Sequence, residues 1–265
     1  MKGKRLLALA CALLMTATLF AFSGCGKKEE NPLLITAGVL VVGTEVGYPP
    51  FEYIDNGITT GLDIELAKEI GEILGLTVQF EDTDFEGILD GLATKRYDVV
   101  MSAVTITPAR AKKVVFSTPY IENWQSIVVR KGNPPITSPE GLNGLKVAYQ
   151  KGTTSTEFYE KLNSTGVLEA KVSEYEKVMS CFDDLKVGRV DAVLVDSVVS
   201  EGYVEKDPDV FEITWHQKND ADAEPELFGI AVRKNNADLL AEVNKALAQL
   251  EGNGRLEELR KQFLA

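Results

Sequence analysis

Asp98-Val-Val-Met-Ser-Ala-Val-Thr-Ile-Thr-Pro-Ala-Arg110 is the stretch that decides how this chain reads. An apolar strand, Val99 to Met101, runs straight into small and hydroxylated residues, Ser102, Ala103, Thr105 and Thr107, then a proline and a lone arginine. That composition suits a strand end opening onto a pocket. Small side chains let a ligand approach the backbone, and a guanidinium grips a carboxylate through two parallel hydrogen bonds. A strand, a turn and a surface arginine would carry the same letters.

Upstream of this run, Leu40-Val-Val-Gly43 reads as a buried strand that leads into the loop Thr44 to Phe51. Asp55-Asn56-Gly57 is a hairpin turn signal, without the alternating oxygen ligands of a calcium loop. From Asp63, Leu66, Ala67, Ile70, Ile73 and Leu74 recur at helical spacing, and Gly75 is placed to end that helix. Leu76 to Phe80 is a predicted strand and Phe85 to Leu92 a predicted helix. Downstream the pattern repeats. Strands are predicted over Lys146 to Tyr149, Ala170 to Tyr175 and Asp191 to Val195, with helices over Ser155 to Leu162 and Lys177 to Lys186. Phe228 to Arg233 is a late strand, and Leu239 to Leu250 mark a long helix that Gly252-Asn253-Gly254 breaks before a short one reaching Phe263. Strands alternating with amphipathic helices point to a mostly parallel α/β sheet, and two such series to two lobes. Arg96-Tyr97-Asp98 precedes the strand of the opening run, and Arg189-Val190-Asp191 precedes its counterpart, which ends in Asp196. In open α/β sheets, ligands bind beyond the carboxyl ends of strands.

The 265 residues suffice for a sizeable core, with 45% hydrophobic and 26% charged residues as in ordinary globular proteins. The first residues differ. Lys2, Lys4 and Arg5 precede an apolar run, Leu6 to Phe22, ending at Ser23-Gly24-Cys25, which reads as a secretory signal over 1–24 with a lone membrane anchor as the competing reading. Ser-Gly-Cys resembles a bacterial lipobox, with Phe22 where leucine is usual. Cys25 would then be lipidated and residues 25–32 a tether, holding an extracytoplasmic domain at the bacterial cell membrane. Cys181 is left without a disulfide partner and is expected to be a small core residue on a helix. Without the signal, 25 basic residues face 40 acidic ones, a net charge of −15. Phosphate repulsion argues against nucleic-acid binding.

Seven segments in order carry a family resemblance: Gly43 to Glu52, Gly61 to Ala67, Asp98 to Arg110, Phe116 to Tyr120, Gln150 to Thr154, Asp191 to Asp196 and Gly229 to Lys234. With them the chain resembles the bacterial extracellular solute-binding proteins of polar amino-acid ABC transporters, the type II periplasmic-binding fold. The resemblance implies two lobes, residues 33–120 with 226–265 and residues 121–225, joined by crossovers near Tyr120 to Glu122 and Ala223 to Leu227. It implies a monomer that closes by hinge motion on a free L-amino acid and delivers it to the membrane permease, with no cofactor and no metal. Residue by residue, Arg110 matches the arginine that holds the ligand α-carboxylate, Thr105 its assisting hydroxyl, and Thr153 and Thr154 the capping loop of lobe two. Asp196 matches the acceptor of the α-ammonium. Tyr48 and Phe85 match a ligand sandwich, Ser102 and Ala103 the pocket floor, and Glu45 an acidic position that meets cationic or amide side chains. Gln150 stands where a glutamine-specific relative has lysine, which together with Glu45 tilts the expectation toward arginine or lysine. Each residue also has an ordinary structural reading: an ion pair for Arg110, helix caps for Thr154 and Asp196, core packing for the aromatics, an exposed loop for Glu45.

Two rivals are expected to fail. Cyclohexadienyl dehydratases share the scaffold and place a carboxylate three residues beyond the lobe-two aspartate, where this chain has Val199, and His216 lies outside every matched segment. A ligand-sensing module would carry a membrane span and signalling domain after the fold, whereas the sequence stops at Ala265 soon after its last helix.

Overall fold

The structure, a computed structural model, describes residues 33–164, 166 and 169–264. The signal, Cys25 and the tether lie outside the described residues. The first α/β series comprises β1 (Val39–Thr44), the hairpin strands β2 (Tyr53–Asp55) and β3 (Ile58–Thr60), α1 (Leu62–Leu74), β4 (Thr77–Asp82), α2 (Asp90–Ala93), β5 (Val99–Val100) and β6 (Val114–Phe116). From there β7 (Ile121–Asn123) leads to β8 (Gln125–Arg130), β9 (Lys146–Gln150), α3 (Thr154–Ser164), β10 (Lys171–Tyr175), α4 (Val178–Lys186), β11 (Ala192–Asp196), α5 (Ser197–Lys206) and β12 (Phe211–His216). The chain then returns through β13 (Glu226–Phe228) to β14 (Ala231–Arg233), α6 (Ala237–Gly252) and α7 (Arg255–Phe263).

Two five-stranded sheets result, ordered β4-β1-β5-β14-β6 and β10-β9-β11-β8-β12. In each, the first two pairings are parallel and the last two antiparallel. This is the two-lobed mixed α/β architecture expected. Between the sheets, β7 and β13 pair antiparallel, Asn123 opposite Glu226 and Ile121 opposite Phe228, where the two crossovers were expected. α1 buries Leu62, Leu66, Ala67 and Ile70 and packs against α6 and α7, so the last helices rejoin the first sheet. It ends where Gly75, at φ 67°, adopts the left-handed conformation that lets its N–H reach back to the Glu72 carbonyl.

Two expected elements differ. The helix predicted over Phe85 to Leu92 is a run of turns with α-helix only at α2, because Gly87 at φ 83° takes the chain out of the helical region. The late strand is split at Gly229-Ile230, where the backbone passes from β13 to the first sheet. At Gly229 a Cβ would stand 2.8 Å from the Ile106 side chain. Cys181 is free and fully buried on α4 beside Phe182, as expected, and burial pushes its thiol well up.

The duplicated Arg-x-Asp segments have a structural role. At the start of β5, fully buried Asp98 accepts the Val41 N–H of the neighbouring β1 at 3.0 Å and the Ile35 N–H at 2.9 Å. Asp191, before β11, accepts the Lys146 N–H of the neighbouring β9 at 2.9 Å. Each aspartate therefore pins the parallel strand beside it. Asp98 also lies 3.7 Å from the buried Arg233 guanidinium. Asp98→Ala, which leaves that cation without its counter-charge and two N–H groups without their acceptor, is expected to lower stability by about 3 to 5 kcal/mol in denaturant unfolding. A loss under about 1 kcal/mol would refute the pinning role.

Candidate functional site

The site lies where β1, β5 and β11 end and β8 begins. Beyond β1, Glu45 is 1% exposed, and its N–H donates to Ser102 Oγ at 3.0 Å. Ser102 in turn donates to Glu52 at 2.9 Å. The next residue, Ala103, holds φ 46°, and its N–H donates at 2.7 Å to Asp63, which also accepts the Tyr120 hydroxyl at 2.9 Å. A non-glycine residue in the left-handed region is uncommon and needs support from its surroundings. Two buried carboxylates supply it here, and burial raises Asp63 to about 6 and Glu52 well above the usual carboxylate range, with Asp63 adding to the rise at Glu52.

Arg110 closes the opening run. Its guanidinium, 9% exposed, donates to the Thr105 carbonyl at 2.8 Å and, across the cleft, to the Gly152 carbonyl at 3.0 Å. Phe85 lies beneath it with its ring centre 5.4 Å from Cζ. Desolvation lowers the Arg110 pKa. Gly152 leads directly into Thr153 and the amino end of α3, where free N–H groups favour an anion. Thr153 Oγ1 donates to the Gln150 carbonyl at 2.8 Å, and Thr154 Oγ1 to Glu226 at 2.9 Å.

Asp196, the last residue of β11, is 4% exposed and satisfied on all sides. Its Oδ2 accepts the Tyr48 hydroxyl at 2.6 Å, and its Oδ1 accepts Asn123 Nδ2 at 2.7 Å and Gln125 Nε2 at 3.0 Å. The same two amides donate to Glu226, at 3.2 and 3.1 Å. Burial raises the Asp196 pKa against the lowering effect of these donors. Burial first, and then the Asp196 charge, hold the Glu226 carboxyl at about 7.

The ten expected site residues lie at or next to these strand ends and in the contacts just described, and the two aromatics do different work. Tyr48 serves Asp196, and Phe85 underlies Arg110. Sequence reading missed Glu226, Asn123 and Gln125, which lie on the hinge strands and at the start of β8. A signal for Gln125 existed: Ile127-Val128-Val129 is apolar and Gln125-Ser126 polar. Because β8 runs antiparallel to β11, its amino end is the one that meets the cleft. A cavity of about 470 Å³ beside this cluster is lined by Thr105, Thr154, Lys161 and Glu226 among others, within the range of small-molecule pockets. His216 stands apart at the end of β12, with Nδ1 2.9 Å from Ser126 Oγ.

The family of bacterial extracellular solute-binding proteins, family 3, matches the chain over residues 40–265. The chain belongs to this family. Among its relatives, the L-cystine-binding protein TcyJ of Escherichia coli (strain K12) is 35% identical over 259 residues, covering 97% of this chain and 92% of the relative. The arginine-binding extracellular protein ArtP of Bacillus subtilis (strain 168) is 32% identical over 248 residues, with 92% of each covered. A solved structure of an ancestral arginine-binding protein bound to arginine shares 40% identity and a TM-score of 0.80, covering 86% of this chain and 99% of that one. These family 3 relatives are binding proteins rather than enzymes.

Glu226 gives a pH test. A carboxyl whose native pKa lies above its unfolded value binds its proton more tightly when folded. Its contribution is complete below about 4.5 and lost as pH rises through about 7. Glu226→Gln, which cannot ionise, is therefore expected to raise the melting temperature of the unliganded protein at pH 8 and to change it little at pH 5. An equal shift at both pH values would contradict the assignment.

Proposed function

We propose that this chain is the extracytoplasmic amino-acid-binding component of an ABC importer, acting as a monomer without cofactor. Residues 33–120 with 226–265 form lobe one, residues 121–225 form lobe two, and the lobes close by rotation about β7 and β13. A ligand promotes closure to the extent that it binds the closed state more tightly than the open one. Cys25 carries the lipid that keeps the protein at the membrane, where the closed form docks on the permease.

The observation that carries this reading is the burial of Arg110 and Asp196 on opposite lobes, each bonded to the lobe facing it. The ligand carboxylate lies between Arg110 and the amino end of α3, assisted by Thr105, Thr153 and Thr154. The ligand ammonium takes the place of the Tyr48 hydroxyl at Asp196. Ser102 and Ala103 form the floor, and Glu45, Tyr48 and Phe85 face the side chain, which is polar, arginine or lysine being favoured by Glu45. The cystine- and arginine-binding relatives fit a free polar amino acid. A dehydratase would need an acid where buried, apolar Val199 stands on α5.

Calorimetric titration with free L-amino acids, ornithine and cystine tests the reading. Arg110→Ala and Asp196→Ala are each expected to weaken the tightest ligand by about 2 to 5 kcal/mol, on the order of thirtyfold or more, since each leaves a buried ligand charge without its partner. Undiminished affinity in both variants would remove the proposal.

A further inference from the structure

Lobe two places a second charge in the cleft. Lys177, just before α4, extends its ammonium to within 3.0 Å of Glu45 Oε1, while Gln150 Nε2 donates to Glu45 Oε2 at 2.6 Å. Glu45 belongs to lobe one and is 1% exposed, and both partners come from lobe two. The lysine stem is seated as well: a Cβ built on Gly47 would stand 3.8 Å from Lys177 Cδ and from Met179 Cε, so the stem and Met179 lie over the Gly47 loop of lobe one. A buried carboxylate is costly without a counter-charge, and desolvation raises Glu45 in opposition to Gln150 and Lys177.

We propose that Lys177 is a specificity-determining residue that supplies Glu45 with a built-in counter-cation when the lobes close, offsetting part of the attraction that Glu45 has for cationic ligand side chains. The inference rests on the amino-acid reading above and concerns what that site selects. A ligand whose side chain is uncharged leaves the Lys177–Glu45 pair in place and closes over it. A ligand with a guanidinium or ammonium at that end must displace Lys177. The route out is open, because the side chain is 29% exposed and Asp84, on the solvent side, is already 4.0 Å from its ammonium. Specificity is a difference of affinities, and an internal competitor lowers one side of that difference.

L-arginine and its uncharged isostere L-citrulline are the probes, titrated calorimetrically into the wild type, Lys177→Met, Glu45→Gln and the double variant. Lys177→Met keeps most of the stem and removes the charge. The expected result is a rise of tenfold or more in the arginine-to-citrulline affinity ratio in Lys177→Met relative to wild type, because arginine now meets an unpaired Glu45 and citrulline leaves it unpaired. In the Glu45→Gln background the same lysine substitution should move the ratio less than threefold. A ratio change below threefold in Lys177→Met overturns the inference, as does an equal change in the Glu45→Gln background; a change from threefold to tenfold that vanishes with Glu45→Gln supports it at smaller size. Wild-type protein that binds other L-amino acids but neither probe overturns the inference and leaves the amino-acid reading standing. Absence of binding to any L-amino acid removes the reading itself.

Discussion

Burying a charge on each of two lobes, with its partners drawn partly from the other, is the constraint on which this protein's behaviour depends. Arg110 reaches the Gly152 carbonyl across the cleft, Asp196 accepts the Tyr48 hydroxyl from across it, and Glu45 is held by Gln150 and Lys177. An ionised group taken out of water costs several kcal/mol unless hydrogen-bonded. Separation of the lobes therefore returns three charges to solvent, and closure must replace that solvation with protein or ligand contacts. Under the proposed function, a zwitterion would offer a carboxylate and an ammonium at the two ends where the chain presents the opposite charges, and closure and binding would be one event.

The duplicated sheet pattern makes this arrangement possible. Parallel pairing of β1 with β5 and of β9 with β11 brings strand carboxyl ends to the cleft from both sides. Asp98 and Asp191 lock those pairs at the opposite ends, away from the cleft. The antiparallel β7–β13 pair, which links the two sheets, then carries Asn123 and Glu226 into the polar cluster around Asp196.

Much of this was legible in the residues. The apolar run that turns small and hydroxylated after Met101 led to Ser102, Thr105 and Arg110, and the parallel case of Asp191 to Asp196 led to the second lobe. What stayed hidden was of two kinds. Antiparallel strands present their amino ends to the cleft, so Gln125 was passed over by a rule about carboxyl ends. Contacts between lobes leave no periodic trace: nothing in the spacing of Glu45 and Lys177 announces that they meet. The missing helix at Phe85 to Leu92 was a question of one backbone angle, since the apolar spacing was helical and Gly87 overrode it.

Under the proposed function, Arg110 and Asp196 together select a molecule bearing both an α-carboxylate and an α-ammonium. Calorimetry comparing the tightest-binding amino acid with its decarboxylated and its deaminated analogues tests it most directly. Removing either group is expected to weaken binding at least a hundredfold, about 2.7 kcal/mol. Binding of either analogue within threefold of the parent amino acid would contradict it.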